Sequence, residues 1–163
     1  MAKITFKAGE EYCLRLDRLG YQSEDIIKKA LKVGGGIIAN ELRRRMVAMG
    51  LEKFRYIRDG RKFSGPSASQ MKDLLNGFGL TPPKLDKDGW WNVRAGWEGY
   101  GSFPTKQYPN GVPNILLARS IESGSSVRRK RPFVRPAMAA KGSEAVAAME
   151  RVIDEEIEKI MKG

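Results

Sequence analysis

The residues that could do chemistry are mainly cations and carboxylates, because the chain has no histidine and a single cysteine, Cys13. The absence of imidazole excludes histidine-ligated zinc and Ser-His or Cys-His nucleophilic pairs, and it removes the commonest general base. Cys13 lies in a helical stretch with no histidine to activate it, so packing explains it best. We expect no catalytic residue, no metal and no cofactor. A small hydrolase built from Lys, Tyr and carboxylates is the least favoured alternative.

Two acidic clusters have a simpler explanation than chemistry. Asp86, Asp88 and Gly89 match part of a calcium-binding loop, but the distant glutamate of that pattern is absent, and a turn explains them better. Asp154, Glu155 and Glu156 fall on the polar face of a predicted helix, which is typical of a solvated surface.

The strongest chemical signal is positive charge. The formal net charge is +11, and such a charge favours polyanionic partners through long-range attraction. Four consecutive cations, Arg128–Arg131, are followed by Arg135. A second basic stretch, from Leu51 to Gly65, is interspersed with aromatic residues and contains Arg55, Arg58 and Arg61. These cations could contact phosphates, or they could form a solvated or protein-facing surface. Trp90 and Arg94 could stack on bases, but a subunit interface or simple packing beneath a helix is favoured.

The elements that position these residues indicate one α+β domain over residues 1–163. Alternation at Lys3–Ala8 predicts a strand, and leucines among charges at Glu10–Leu19 predict a short helix that ends at Gly20. Ser23 is a good N-cap for a long helix over about 23–48. Gly34, Gly35 and Gly36 interrupt this helix; either another element approaches closely there or the segment is a hinge, or else the helix breaks into two shorter helices.

The second half alternates loops with helices. Ser67–Gly77 predicts a short helix, and residues 80–97 predict a hairpin that turns at Asp86–Gly89. We expect this hairpin and the N-terminal strand to form a small antiparallel sheet packed against the long helices. Loops are predicted at Leu51–Gly65, Gly99–Pro113 and Gly124–Arg131, a helix at Ile115–Ile121, and a final helix from about 136 to 161, with Ser143 as an alternative start.

A motif near the C-terminus resembles a known family. Its parts are Val-Pro-Asn-Ile-Leu-Leu-Ala-Arg at 112–119, Ile-Glu-Ser-Gly-Ser at 121–125 and Arg-Pro-Phe-Val-Arg-Pro-Ala at 131–137, and Gly-Trp-Glu-Gly-Tyr at 96–100 lies upstream. In order and spacing these parts resemble the tail-completion or head–tail joining proteins of long-tailed, siphovirus-like bacteriophages and prophages. The resemblance extends from about Ile26 and is specific from about Leu80. Ser125 replaces a common threonine, and the stretch from Arg55 to Gly65 departs from the family. The matched positions are Pro113, Asn114, Ala118, Glu122, Gly124, Pro132, Phe133, Arg135 and Pro136.

The resemblance implies a non-enzymatic virion assembly protein at the head–tail junction or tail end. Its partners would be further copies of itself in a ring and neighbouring phage connector or tail proteins, with DNA secondary and with no membrane or small-molecule substrate. It would be found in the virion and, during assembly, in the host bacterial cytoplasm. A basic nucleic-acid-binding protein is the alternative. The candidate partner-contact residues lie on the three predicted loops: Arg55, Arg58, Arg61, Tyr100, Tyr108, Arg128, Arg129, Lys130 and Arg131.

The motif also has a mechanical interpretation. Pro132 and Pro136 fix φ and suit a helix start, where a missing N–H costs nothing. Phe133 between them can anchor the helix entry to the core. Glu122 and Arg135 could pair across the intervening loop and hold its basic residues outward as a tab.

Overall fold

The computed structural model describes the backbone of residues 8–49, 55–58 and 60–163 and the side chains of residues 14–49, 60 and 65–163. The α+β class is confirmed, with two long helices and short antiparallel strand pairs. The predicted strand at Lys3–Ala8 lies outside the described residues except for Ala8. In chain order the elements are α1 (Ala8–Ala48), β1 (Arg55–Arg58), β2 (Arg61–Ser64), α2 (Ala68–Gly77), β3 (Phe78–Leu80), β4 (Lys84–Leu85), β5 (Trp91–Asn92), β6 (Ala95–Trp97), α3 (Asn114–Ser123) and α4 (Val134–Lys162).

Helix α1 is one continuous helix of 41 residues, so the predicted end at Gly20 and new start at Ser23 are wrong. A single glycine costs a helix only about 1 kcal/mol, which is too little to end it when the flanking residues favour helix. The Ser23 hydroxyl donates to the Gly20 carbonyl one turn back, 2.8 Å away. This is the bond that a serine makes inside a helix, not the bond of an N-cap.

The three glycines at 34–36 lie within this unbroken helix, so the two-helix alternative is wrong. A β-carbon on Gly34 would lie 2.6 Å from Cγ of Met149 on α4, and one on Gly35 would lie 2.9 Å from Cγ1 of Val93. The missing side chains therefore let α4 and the hairpin approach α1 closely.

The hairpin predicted over 80–97 is confirmed, but it consists of two strand pairs. β3 pairs with β6 through Phe78↔Trp97, and β4 pairs with β5 through Leu85↔Trp91. Pro82 and Pro83 lie between them and have no N–H to donate to a ladder. At the turn the Asp86 carboxylate accepts the N–H groups of Asp88 and Trp90, at 3.0 and 2.8 Å. Asp86 therefore has the role of a turn residue.

The stretch predicted as a basic loop contains a second hairpin, so that prediction is wrong over 55–64. β1 and β2 pair antiparallel with Arg58 opposite Arg61, which leaves a two-residue Asp-Gly connection. Gly60 has a φ of 73°, a conformation that glycine adopts without steric cost and that such tight turns require. The predicted helix at Ser67–Gly77 is confirmed, with Ser67 and Gln70 forming a capping box at its start.

The hydrophobic core joins all four helices to the β3–β6 pair. Leu74, Ile121 and Phe133 are among its most deeply buried side chains. The Trp97 ring packs 5.2 Å from the Phe78 ring and 5.7 Å from the Phe133 ring, centroid to centroid. The full cluster is Ala39, Leu42, Met46, Met71, Leu74, Phe78, Leu117, Ala118, Ile121, Phe133 and Ala137.

Away from this core, α1 and α4 continue as an antiparallel pair. We call residues 14–33 and 149–163 the arm, and the part of the molecule around the core cluster the core end. Lys29 bonds to Glu156 at 2.5 Å, and the Arg15 guanidinium donates to the Met161 carbonyl near the end of α4. Leu14, Leu16 and Tyr21 on the arm are exposed.

Candidate functional site

Glu122 organises the C-terminal motif by capping a helix to which it does not belong. Its carboxylate accepts the backbone N–H groups of Phe133, Val134 and Arg135 at 2.6, 2.9 and 3.2 Å. The first four amides of a helix have no acceptor within it. Here Glu122 satisfies three of them, and the fourth residue, Pro136, has no N–H. Every amide in the first turn of α4 is thus accounted for.

The charge of Glu122 suits this position. Burial alone would raise the pKa of the carboxyl, but the three amides, helped by the charge of Arg135, lower it below its ordinary value. A carboxylate at a helix N-terminus also interacts favourably with the helix dipole. Among the described residues, the ion pair that we expected between the side chains of Glu122 and Arg135 is absent; the Glu122 carboxylate instead accepts the Arg135 backbone N–H and caps the helix.

Gly124 ends α3 and begins the short return to α4. Its φ is 79°, and a β-carbon there would lie 3.0 Å from the Lys130 amide nitrogen. Ser125 and Arg128 then pair across a tight turn, and the Arg131 N–H donates to the Ile121 carbonyl at 2.8 Å. Glycine at 124 therefore allows the loop to fold back onto the end of α3.

The cations of this loop divide into two kinds. Arg128 is half-buried and donates to Gln70 of α2 at 3.3 Å, and Arg131 donates to the Met49 carbonyl at 3.4 Å. Burial lowers the pKa of the Arg128 guanidinium. Arg129 and Lys130 are exposed. Two of the four cations therefore turn toward the body of the protein, unlike the outward tab that we expected.

Asn114 connects three elements from a buried position. Only 3% of it is exposed. Its side-chain amide donates to the carbonyls of Asp73 and Glu98, at 3.3 and 2.8 Å, and so ties α3 to α2 and to the end of β6. Gly77 allows this approach, because a β-carbon there would lie 2.6 Å from the Asn114 amide nitrogen. Pro113 directly precedes α3, and Ala118 belongs to the core cluster.

The loop Gly99–Pro113 is closed at its base and mostly exposed. Tyr100 bridges to Pro113, and Gly101 donates to the Val112 carbonyl at 2.8 Å. Asp73 accepts the N–H and the hydroxyl of Ser102, at 2.8 and 2.5 Å, and these bonds lower the pKa of its carboxyl. Tyr100 is exposed and Tyr108 is half-buried. Neither this loop nor Gly124–Arg131 adds a side chain to the core cluster.

An apolar cavity of about 480 Å³ lies between α1, the β3–β6 hairpin and α4. Ile38, Val93, Met138, Val146 and Met149 are among its lining residues, and none of the lining residues has an ionisable side chain. This lining cannot support acid–base chemistry. A second cavity includes Asp73, whose carboxylate is already engaged by Ser102.

Some predicted site residues are not brought together with the rest. Arg55, Arg58 and Arg61 lie on β1 and β2, and their side chains fall outside the described part. Among the residues that are described, no group of three or more acidic or cysteine side chains could hold a metal ion. Within the same residues, no helix is both long and apolar enough to cross a membrane.

Sequence reasoning missed two features of this region. The bond from Gln70 to Arg128 joins residues 58 positions apart, and no local pattern indicates it. Capping of α4 by Glu122 was signalled only weakly, by a helix start that offers no Ser, Thr, Asp or Asn of its own at 133. No protein-family model, curated protein or solved structure matches the chain significantly.

Proposed function

We propose that this chain is a non-enzymatic assembly protein of a long-tailed bacteriophage virion, which acts at the head–tail junction or tail end as a ring-forming subunit. The proposal begins from the motif at 112–137, which resembles that family. One structural observation supports it: the motif residues that the structure describes hold the fold together, and they do not line a reaction site. Asn114 joins three elements, Glu122 caps α4, Gly124 turns the chain, and Phe133 fills the core.

The exposed surface supports the same proposal. Trp90 is 71% exposed at the tip of the hairpin, and Phe103 is 64% exposed on the Gly99–Pro113 loop. Large aromatic side chains are enriched where subunits meet. A ring interface is heterologous, so a projection on one copy meets a different surface on the next. Hairpin tips and loops outside the core can serve as such projections.

The experiment is electron microscopy of particles made without this protein. We expect free heads beside unjoined or overlong tails, and normal virions would refute the proposal. Complementation then locates the surface. Trp90→Ala and Phe103→Ala are each compared with a matched neighbour on the same segment, Lys87→Ala and Lys106→Ala. At unchanged melting temperature, we expect the aromatic variants alone to reduce the yield of joined particles.

A further inference from the structure

The net charge of the chain is concentrated in two separate segments. Residues 41–62 carry eight Lys and Arg against three Asp and Glu, and residues 119–135 carry six against one. These two segments therefore hold ten of the eleven net positive charges. The rest of the chain is nearly balanced, with 16 cations against 15 anions.

The fold brings the described parts of the two segments, residues 41–49, 55–58 and 60–62 and residues 119–135, to the same end of the molecule. Met46 and Ile121 pack in one core cluster, and Arg131 donates to the Met49 carbonyl at 3.4 Å. The β1–β2 ribbon begins six residues after Met49 and ends three residues before Ser67, the N-cap of α2. Three residues span at most about 10 Å, so the end of this ribbon stays close to the Gln70–Arg128 contact. We call the described residues of the two segments, 41–49, 55–58, 60–62 and 119–135, the basic end.

The two described carboxylates of the basic end already have partners. Glu41 is 5% exposed and bonds to Arg44 and Arg45, each at 2.7 Å. The Glu122 carboxylate is occupied by three backbone amides. The arm differs, because its residues hold eight cations and eight anions. Its lysines pair with glutamates, as in Lys29–Glu156 and Lys162–Glu158.

The kind of cation also differs between the basic end and the remainder. Arginine supplies 11 of the 14 cations of the two segments but only four of the 16 elsewhere in the sequence. The planar guanidinium presents paired donors that match the oxygens of a phosphate, whereas an ammonium acts as a point charge. Charged residues in general promote solubility, but this preference for arginine over lysine also indicates recognition of oxyanions.

We propose that the basic end binds the phosphate backbone of duplex DNA. Duplex DNA carries a negative charge about every 1.7 Å along its axis, a continuous density that suits the excess of cations over carboxylates in these two segments. A two-stranded antiparallel ribbon fits the major groove, and the β1–β2 ribbon has Arg55, Arg58, Arg61 and Lys62 in its sequence. Phosphate contacts carry no sequence information, so binding is independent of base sequence. The inference goes beyond the proposed assembly role and is tested separately from it.

The test is a salt titration of the full chain with a random-sequence DNA duplex. With six phosphate contacts, affinity falls roughly a thousandfold between 50 and 200 mM salt. The double variant Arg119→Ala, Lys130→Ala removes two exposed cations of the basic end. It lowers the slope of log affinity against log salt by about 1.8. The control Arg151→Ala, Lys162→Ala makes the same change on the arm and leaves the slope unaltered.

Three results would overturn the inference. The first is an affinity that does not depend on salt, and the second is an equal loss in both double variants. The third is displacement of DNA by polyglutamate at equal charge, which would identify an acidic protein surface as the partner. None of these results bears on particles made without the protein, so failure of DNA binding and failure of the assembly role are distinguishable.

Discussion

The core end and the arm share the same two helices, yet they use carboxylates in different ways. At the core end Glu41 and Glu122 are largely withdrawn from solvent, and each receives several donors. On the arm the pairs Lys29–Glu156 and Lys162–Glu158 lie at the surface, where single ion pairs contribute little stability. Carboxylates therefore fix the geometry of the core end, while on the arm they balance charge.

Apolar side chains are also more deeply buried at the core end than on the outer part of the arm. Phe133 at the core end is 2% exposed, whereas Leu14 on the arm is 60% exposed and Tyr21 is 89% exposed. Burial of apolar surface is the main favourable term in folding. The free energy of unfolding should therefore depend strongly on the core end and weakly on the outer part of the arm.

The largest expected effect comes from Phe133→Ala. This change removes a ring that packs against Trp97 inside the core, and such truncations cost about 3–5 kcal/mol because they leave a cavity. Urea unfolding followed by circular dichroism measures the loss.

Leu14→Ala is the matched change on the arm. We expect it to alter the free energy of unfolding by about 0.5 kcal/mol or less, as exposed positions do. If the two variants lost similar amounts, the arm would contribute to the cooperative core, and the contrast drawn here would be wrong.

Glu122→Gln should have the next largest effect. The amide keeps an acceptor oxygen but loses the charge that three backbone donors and the helix dipole favour. We expect a loss of about 1 kcal/mol, which is typical of helix caps. Glu150→Gln, at an exposed position of α4 on the arm, is the control and should leave the melting temperature unchanged. Equal melting temperatures in wild type and Glu122→Gln would contradict the capping role of Glu122.

The same variant gives a pH test with a defined sign. The pKa of Glu122 in the folded protein lies below its ordinary value of 4.5. Its contribution is therefore present above that value and is lost as pH falls through the folded-state pKa. Glu41 and Glu156, whose pKa values are about 2, also lose their contributions to stability as the pH falls. Glu122→Gln should unfold with a shallower dependence on acid pH than wild type, and parallel curves would contradict this assignment.

The sequence predicted the regular elements better than their connections. Apolar periodicity located α4, and the Asp86–Gly89 turn located the main hairpin, because both signals are local. The hairpin at 55–64 was missed although Asp59-Gly60 is a turn signal, because the density of cations around it resembles a loop. The predicted helix end at Gly20 is wrong, because a local pattern does not show that α1 has α4 to pack against.

The contacts of the candidate site could not be predicted from the sequence. The order of Glu122, Gly124 and Phe133 grouped these residues into one motif, but it did not indicate how they bond. Its bonds join residues 11 to 13 positions apart, across a loop whose path the sequence does not specify. The position of Arg128 against Gln70 depends on how α2 packs, which is a property of the whole core.

The smallest expected effect on global unfolding comes from Gly20→Ala, which should stabilise the arm locally. A β-carbon at this position would meet nothing within 4 Å, and alanine favours helix over glycine by about 1 kcal/mol. The gain should appear as slower hydrogen exchange of arm amides, with little change in global unfolding, because the arm opens locally before the core does.

Gly35→Ala in the same helix is the control. Its β-carbon would lie 2.9 Å from Val93, so the same substitution should destabilise the core end. A gain at both positions would show that helix propensity alone governs α1, and that close packing at its glycines does not.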